Sequence, residues 1–303
     1  MSAIPAPAGP DAAQHDARVR WWRIVPSLVI HLGCLGVIGV GWSPVAVAVA
    51  LALYLARMFA ITAFYHRYFS HRTFRTSRVA HFLFGFLGAS SAQRGPIWWA
   101  AHHREHHRES DEPPDRHSPV QHGLLWSHMG WFFSDGGVQT PEKAVPDLLQ
   151  MPEIRWLDRF HIVAVLTLAA FCYALGAALD AVAPSWGTSG LQMLVWGFFI
   201  STTVLHHATF TINSLAHTIG TRRYETRDDS RNNLFLAILT LGEGWHNNHH
   251  FHPGSTRQGF FWWEIDMAWY GLWLLERVGV VWDLRPVPKR AREAAGRARA
   301  ARP

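Results

Sequence analysis

The sequence predicts an all-α membrane protein in which four transmembrane helices, paired as two hairpins, carry a helical cap around a histidine-rich site. Three observations lead there. Hydrophobic residues make up 49% of the 303 residues and there are 16 Trp, yet charged residues still reach 17% and mean hydropathy is near zero. Such an average comes from segregation, long apolar blocks alternating with blocks dense in Arg and His, as in polytopic membrane proteins. Four of the apolar blocks reach spanning length. Nine of the 20 His fall into four groups on segments that follow or lie between those blocks.

The blocks run over residues 24–41, 45–65, 160–183 and 191–210. Only Trp42, Ser43 and Pro44 separate the first two, and residues 184–190 separate the second pair, so each pair folds as a tight antiparallel hairpin. Residues 1–23 read as an N-terminal tail, residues 24–285 as the membrane domain with a cap from 66–159 and 211–285, and residues 286–303 as a basic C-terminal tail. The Ala- and Pro-rich start lacks the layout of a cleaved signal peptide, because the apolar run begins too late and is long enough to span.

Charge placement sets the orientation. Neither short connection contains Lys or Arg, whereas residues 65–159 hold eleven. The positive-inside rule therefore places both termini and the cap in the cytoplasm. Arg57 falls near the inner end of the second span, where a snorkelling side chain is expected. His206 and His207 in the fourth span read either as partners of metal-bound groups or as polar residues facing the bundle. Residues 79–91 and 265–281 are too short or too charged to span and read as helices that lie in the inner interface or plug the cytoplasmic domain. Lys289, Arg290, Arg292, Arg297, Arg299 and Arg302 against Glu293 suggest a solvated tail near anionic lipid. The net charge of +6 is thus assigned to the membrane surface rather than to nucleic acid. Cys34 and Cys172 both lie in apolar blocks, so neither a disulfide framework nor a thiolate metal site is expected.

The histidine groups are His66 and His71 in HRYFSH; His103, His106 and His107 in HREHH; His217 in NSLAH; and His246, His249 and His250 in HNNHH. Positions i, i+3 and i+4 share one helix face, so each HxxHH is expected to aim three imidazoles at a common point. Nine imidazoles exceed what one ion binds, and two ions are the economical count. Imidazole accepts Fe, Zn and Cu alike, and the ligand types do not choose among them. His102 points off the triplet face, outside the metal shell. His117 is the candidate to orient a ligand, and His122 and His128 are expected farther out. His252 opens an HPGS segment, but too little chain follows for a haem domain, so electrons must come from a separate protein.

In order and in distance from the spans, HRYFSH, WWAAHHREHH, NSLAH and GEGWHNNHH resemble the membrane-bound fatty acyl desaturases, in particular bacterial members of the delta-9 acyl-CoA type. The resemblance runs from about Ile24 to Trp282. It implies a four-span fold with two irons in a cytosolic cap, ligated by His66, His71, His103, His106, His107, His217, His246, His249 and His250, with Asn213 reaching one iron through water. It implies no catalytic side chain beyond those ligands, dioxygen as co-substrate, an acyl thioester as substrate, and a ferredoxin or cytochrome as donor. Two segments depart from the pattern: where animal acyl-CoA members carry basic residues that help hold the CoA head group, this chain has Gln121, His122 and Gly123, and again, after the Trp-containing stretch, Ser134 and Asp135.

Taking hydrogen from unactivated methylenes needs an oxidant no side chain supplies, so metal and dioxygen would carry the chemistry and the protein the positioning. Trp98, Trp99, Trp131, Trp262 and Trp263 are expected to wall an acyl tunnel or to form an interfacial belt. A hydroxylase would use similar histidine boxes and differ in the fate of the second hydrogen. A non-catalytic metal-binding membrane protein is the other class in play.

Overall fold

The computed structural model describes residues 17–300, with side chains to residue 296. The first sixteen residues and the last three, Arg302 of the basic tail among them, lie outside that range. Four helices are long and apolar enough to cross a membrane: Trp21–Val40, Pro44–Ser70, Ile162–Val182 and Gly190–His217. Gly41 ends the first at φ +61°, a backbone conformation that needs the missing Cβ. Two residues on, Ser43 caps the second, accepting from the Ala46 amide at 3.1 Å. Across the other hairpin, Ser189 caps the fourth helix by accepting from the Gln192 amide at 3.2 Å.

The second and fourth spans run past the apolar blocks into the cap, which is how the bundle delivers His66 and His217. From Ala60 to Ser70 the second is wound as a π-helix, and the His71 amide donates to the His66 carbonyl at 3.2 Å. That i to i+5 bond is the π-helical one. Residues five apart on an α-helix point about 140° from each other; here the rings of His66 and His71 have centroids 4.9 Å apart.

Arg57 does not snorkel. It is fully buried, donating from Nη2 to Ser201 Oγ at 2.5 Å, from Nη1 to Thr202 Oγ1 at 2.8 Å, and from Nε to the Leu53 carbonyl at 3.1 Å. A guanidinium kept inside a bundle must have its donors met, and Ser201 and Thr202 on the fourth span meet them. His206 and His207 prove to be polar bundle residues. His206 donates to the Ser91 carbonyl at 2.9 Å, and His207 bonds His31 on the first span at 3.1 Å and His128 at 3.0 Å.

Two amphipathic helices flank the cap. Arg78–Ala89 exposes Val79, Leu83 and Leu87 on one side and buries Gly88 against Tyr65 on the other. Met267–Arg277, capped by Asp266, exposes Trp273 and Leu274. Both present an apolar stripe beside charged ends, as interfacial helices do. Short antiparallel strands, Arg75–Thr76 and Val281–Trp282, tie the two halves of the cap together over a core that includes Phe64, Tyr65, Phe69, Ile97 and Leu148. The basic tail is not free solvated chain: Val287 and Ala291 are buried, and Ala294 and Ala295 pack on the same cluster with Tyr224 and Phe260. Alanines at i, i+3 and i+4 form a smooth helix face there, a pattern that its six cations obscured.

Candidate metal centre

The histidines stand on four rigid supports. HREHH lies on the helix Pro96–Glu109, which opens with proline and has its first amides met by Asp158: the Ile97 and Trp98 amides each donate to Oδ1 at 2.9 Å. HNNHH opens the short helix His246–Phe251, held by its own asparagines. The Asn247 side chain accepts from the Arg223 and Tyr224 amides at 2.8 and 2.7 Å, and Asn248 Nδ2 donates to Glu264 at 2.9 Å. The ends of the second and fourth spans supply the other three.

All nine converge, in two clusters. His66, His71, His103, His107 and His249 form one, and His106, His217, His246 and His250 the other, with the nitrogens inside each cluster lying within 4.8 Å of one another. The expectation that each triplet aims at one point is therefore corrected. HREHH sends His103 and His107 to the five-membered cluster and His106 to the other, while HNNHH sends His246 and His250 to the four-membered cluster and His249 across. Residues i and i+4 differ by only about 40° around a helix, whereas i+3 lies about 100° from i+4. The adjacent pair and the offset residue thus part company when two such helices face each other.

The ring nitrogens fit a pair of bound cations. Nε2 faces Nε2 at 2.8 Å for His71 and His103, 2.9 Å for His66 and His249, 2.8 Å for His107 and His249, and 3.0 Å for His217 and His246. His250 Nε2 is buried without a partner. Outside, carboxylates hold the opposite nitrogens: Nδ1 of His106 donates to Asp115 at 2.9 Å, of His217 to Asp111 at 2.8 Å, and of His250 to Asp228 at 2.8 Å, and His66 Nδ1 pairs with Glu243. A proton fixed on Nδ1 leaves the Nε2 lone pair pointing inward, the tautomer a metal requires. The donor set, imidazole throughout, suits Fe, Zn or Cu.

These acids differ in charge. Burial works against ionisation of Asp111, but the bond and charge of His217 outweigh it and bring the carboxyl down to about 2. Asp115 and Asp228, also buried, are likewise held below the usual carboxylate range by His106 and His250. Glu243 goes the other way: burial lifts it to about 8 despite nearby Arg67. None of the four was singled out from the sequence, although Asp111 and Asp115 closely follow HREHH and Glu243 stands in GEGWHNNHH.

His102 is buried outside both clusters, donating to the Gln139 carbonyl at 2.9 Å and packed on Trp98. His117 lies against the His106 ring, with centroids 4.5 Å apart, but the group that orients His106 is Asp115. Those three residues also form a third group close enough for an ion; because Asp115 bonds the outer nitrogen of His106, its role is to support the four-histidine cluster. Asn213 faces the cavity that His106 and His246 also line. Trp98, Trp99 and Trp131 line the cavities beside the clusters, whereas Trp262 and Trp263 are 81% and 53% exposed and line none of these cavities. Three cavities adjoin in series. The outermost shares Gln93 and Phe132 with the next, which shares Trp99, Thr209 and Asn213 with the one against the histidines.

Four helices long and apolar enough to span, a cap, and two imidazole clusters able to hold metal at the end of a passage from the bundle give the architecture of a membrane-bound protein with a metal centre. The sequence profile of the fatty acid desaturases matches residues 41–282, and the chain belongs to that family. It is 38% identical over 231 residues to a probable chloroplastic lipid desaturase of Arabidopsis thaliana, covering 74% of this chain and 59% of that one. With the sn-2 palmitoyl-lipid 9-desaturase of Nostoc sp. (strain 36) identity is 33% over 88% of this chain and 90% of the other. An acyl-CoA 5-desaturase of Anemone leveillei is 35% identical, with 84% and 76% covered. Family membership makes the protein an oxidoreductase acting on fatty acyl chains.

Proposed function

We propose that the protein introduces a cis double bond near the ninth carbon of a saturated acyl chain of about 16 to 18 carbons, a length suited to the inner half of the bilayer plus the cap. Two irons would be held, one by His66, His71, His103, His107 and His249, the other by His106, His217, His246 and His250 with Asn213 through water. The observation that carries this reading is the series of cavities ending at both clusters. When bound, the irons supply dioxygen activation: the chain loses two hydrogens, and these, two electrons from an external ferredoxin-like or cytochrome donor and two protons leave with the oxygen as two waters.

The chain's own residues position the substrate. Trp99, Thr209 and Ile61 line the innermost cavity and would keep adjacent methylenes beside the clusters, the requirement for a second hydrogen to be taken before a hydroxyl can recombine. Product analysis tests the reading: purified protein with iron, a reduced donor and a saturated acyl substrate should give a mono-unsaturated chain, and predominant hydroxy-acid would refute it. The carrier named by the resemblance is CoA, while relatives of similar identity are named for lipid-linked and for CoA-linked chains. On this reading both termini and the cap face the cytoplasm, as the charge-free outer connections favour. Trp42, 68% exposed on the opposite side of the first hairpin, gives the check: W42C in a cysteine-free background should be labelled from outside intact cells, and labelling only after permeabilisation would reverse the orientation.

A further inference from the structure

A desaturase must also admit whatever its acyl chain is attached to, and the mouth of the passage bears on that carrier. The outermost cavity is lined by Arg23, Ser27 and Ile30 of the first span and by Ile162 and Val165 of the third. At 1.5 Å per residue, Ile30 lies about 10 Å farther along its helix than Arg23. The opening is therefore a slot in the side wall of the bundle, reaching down into the apolar layer.

The first span leaves that slot because it docks elsewhere. Gly33 and Gly36 lie so close to the fourth span that a Cβ at Gly33 would fall 2.2 Å from Phe199 and one at Gly36 2.8 Å from Val195. His31 bonds His207 at 3.1 Å, and Cys34 bonds Thr203 at 3.2 Å. This polar and glycine seam fixes the first span to the fourth, and none of the first span's residues is buried.

At the inner end of the slot the lining turns polar. Gln93 is 3% exposed and faces both the slot and the next cavity. Its amide donates to Thr209 Oγ1 at 3.1 Å, and its Oε1 has no partner; the amide also retains a second hydrogen to give. Arg94 and Arg23 stand beside it on the same cavity, and Arg23 Nε is buried without a partner. A hydrocarbon tail needs none of these groups. An ester carbonyl could accept from Gln93, and a phosphodiester could sit against the two guanidinium groups. Arg23 pairs with Asp135 through Nη2 at 2.8 Å, which leaves its Nε edge for a phosphate.

On the desaturase reading, we propose that the acyl chain is delivered still esterified to a membrane glycerophospholipid. It slides sideways from the inner leaflet between the first and third spans, with its ester at Gln93 and its phosphate by Arg23 and Arg94.

Two measurements on the full chain in phospholipid nanodiscs test this. In the first, which needs no turnover, a trace phosphatidylglycerol carries a photoreactive group in mid-chain. Only a chain inside the passage reaches Trp99, so labelling of the peptide that contains it is expected, unchanged by excess palmitoyl-CoA and reduced roughly tenfold, the equivalent of about 1.4 kcal/mol, by Ser27→Trp or, independently, Val165→Trp. Labelling abolished by palmitoyl-CoA, or insensitive to both variants, would overturn the proposal. In the second, iron-loaded protein and a reduced donor are given isotope-labelled dipalmitoyl phosphatidylglycerol or palmitoyl-CoA. Intact mono-unsaturated phospholipid supports the proposal. Turnover of palmitoyl-CoA alone overturns it while leaving the desaturase reading standing. Failure of both substrates with labelling at Trp99 intact counts against the desaturase reading and for the access route.

Discussion

The two imidazole clusters are built from the same side chain by different means. In the four-histidine cluster three rings, His106, His217 and His250, are each pinned from behind by an aspartate held in the ionised range. In the five-histidine cluster the only acid behind a ring, among the described residues, is Glu243 at His66, and burial keeps its carboxyl near 8. That cluster relies instead on number and on rigid backbone: the π-wound end of the second span and the packed helix Pro96–Glu109. One pocket is oriented by outer charge, the other by chelation. An ion with fewer ligands but three anions behind them experiences a more electron-donating site than one with five near-neutral ligands.

The sharpest way to break the comparison is to remove one ligand from each side. His106→Ala leaves three rings and takes away the ring that Asp115 holds, whereas His249→Ala leaves four rings. Turnover should vanish in both. Metal analysis of the purified variants should nevertheless show a larger loss of iron from His106→Ala, and equal retention would remove the asymmetry. His102→Ala is the control: it should keep its metal and lose about 1–3 kcal/mol of stability with the Gln139 hydrogen bond and packing.

Smaller effects separate the acids. Asp115→Asn or Asp228→Asn should each lower metal affinity or activity by roughly 10- to 100-fold, the usual cost of losing a group that orients a ligand. Glu243→Gln should cost less, because the carboxyl it replaces is already largely protonated at neutral pH. Metal titration followed by electronic absorption would rank them, and a Glu243 effect equal to that of Asp115 would contradict the charge assignment.

The smallest effect is on the pH dependence of the metal-free fold, where the two pockets should oppose each other. Asp111 is lowered from 3.8 to about 2, so it contributes stability above its ordinary pKa and loses it as pH falls through that window. Glu243 is raised from 4.5 to about 8, so its contribution is present below its ordinary pKa and lost as pH rises through that window. Compared with wild type, Asp111→Asn should flatten the acid limb of thermal stability and Glu243→Gln the neutral limb. The same limb flattened by both variants would show the directions to be wrong.

Much of this molecule was legible in its sequence. Apolar length marked all four spans, because a bilayer demands an unbroken helix whose backbone satisfies itself, and spacing with position marked the nine histidines. What depends on one stretch of chain meeting another was not legible. Helical periodicity put each triplet on one face, but the division of His103 and His107 from His106, and of His246 and His250 from His249, arises only when the two helices face each other. Likewise, α-helical spacing separates His66 from His71, and only the π-wound turn brings their rings together. The aspartates were hidden for the same reason, since Asp111 reaches a histidine 106 positions away and nothing local distinguishes it from a solvated acid. Arg57 looked like a snorkelling cation until Ser201 and Thr202, on another span, were found to satisfy it. By itself the sequence determined which histidines are the candidate ligands and which segments are long and apolar enough to span, because both follow from local composition and period. Tertiary structure alone decided which ring joins which cluster, which acid fixes its proton and where the passage opens, because those depend on contacts between segments far apart in the chain.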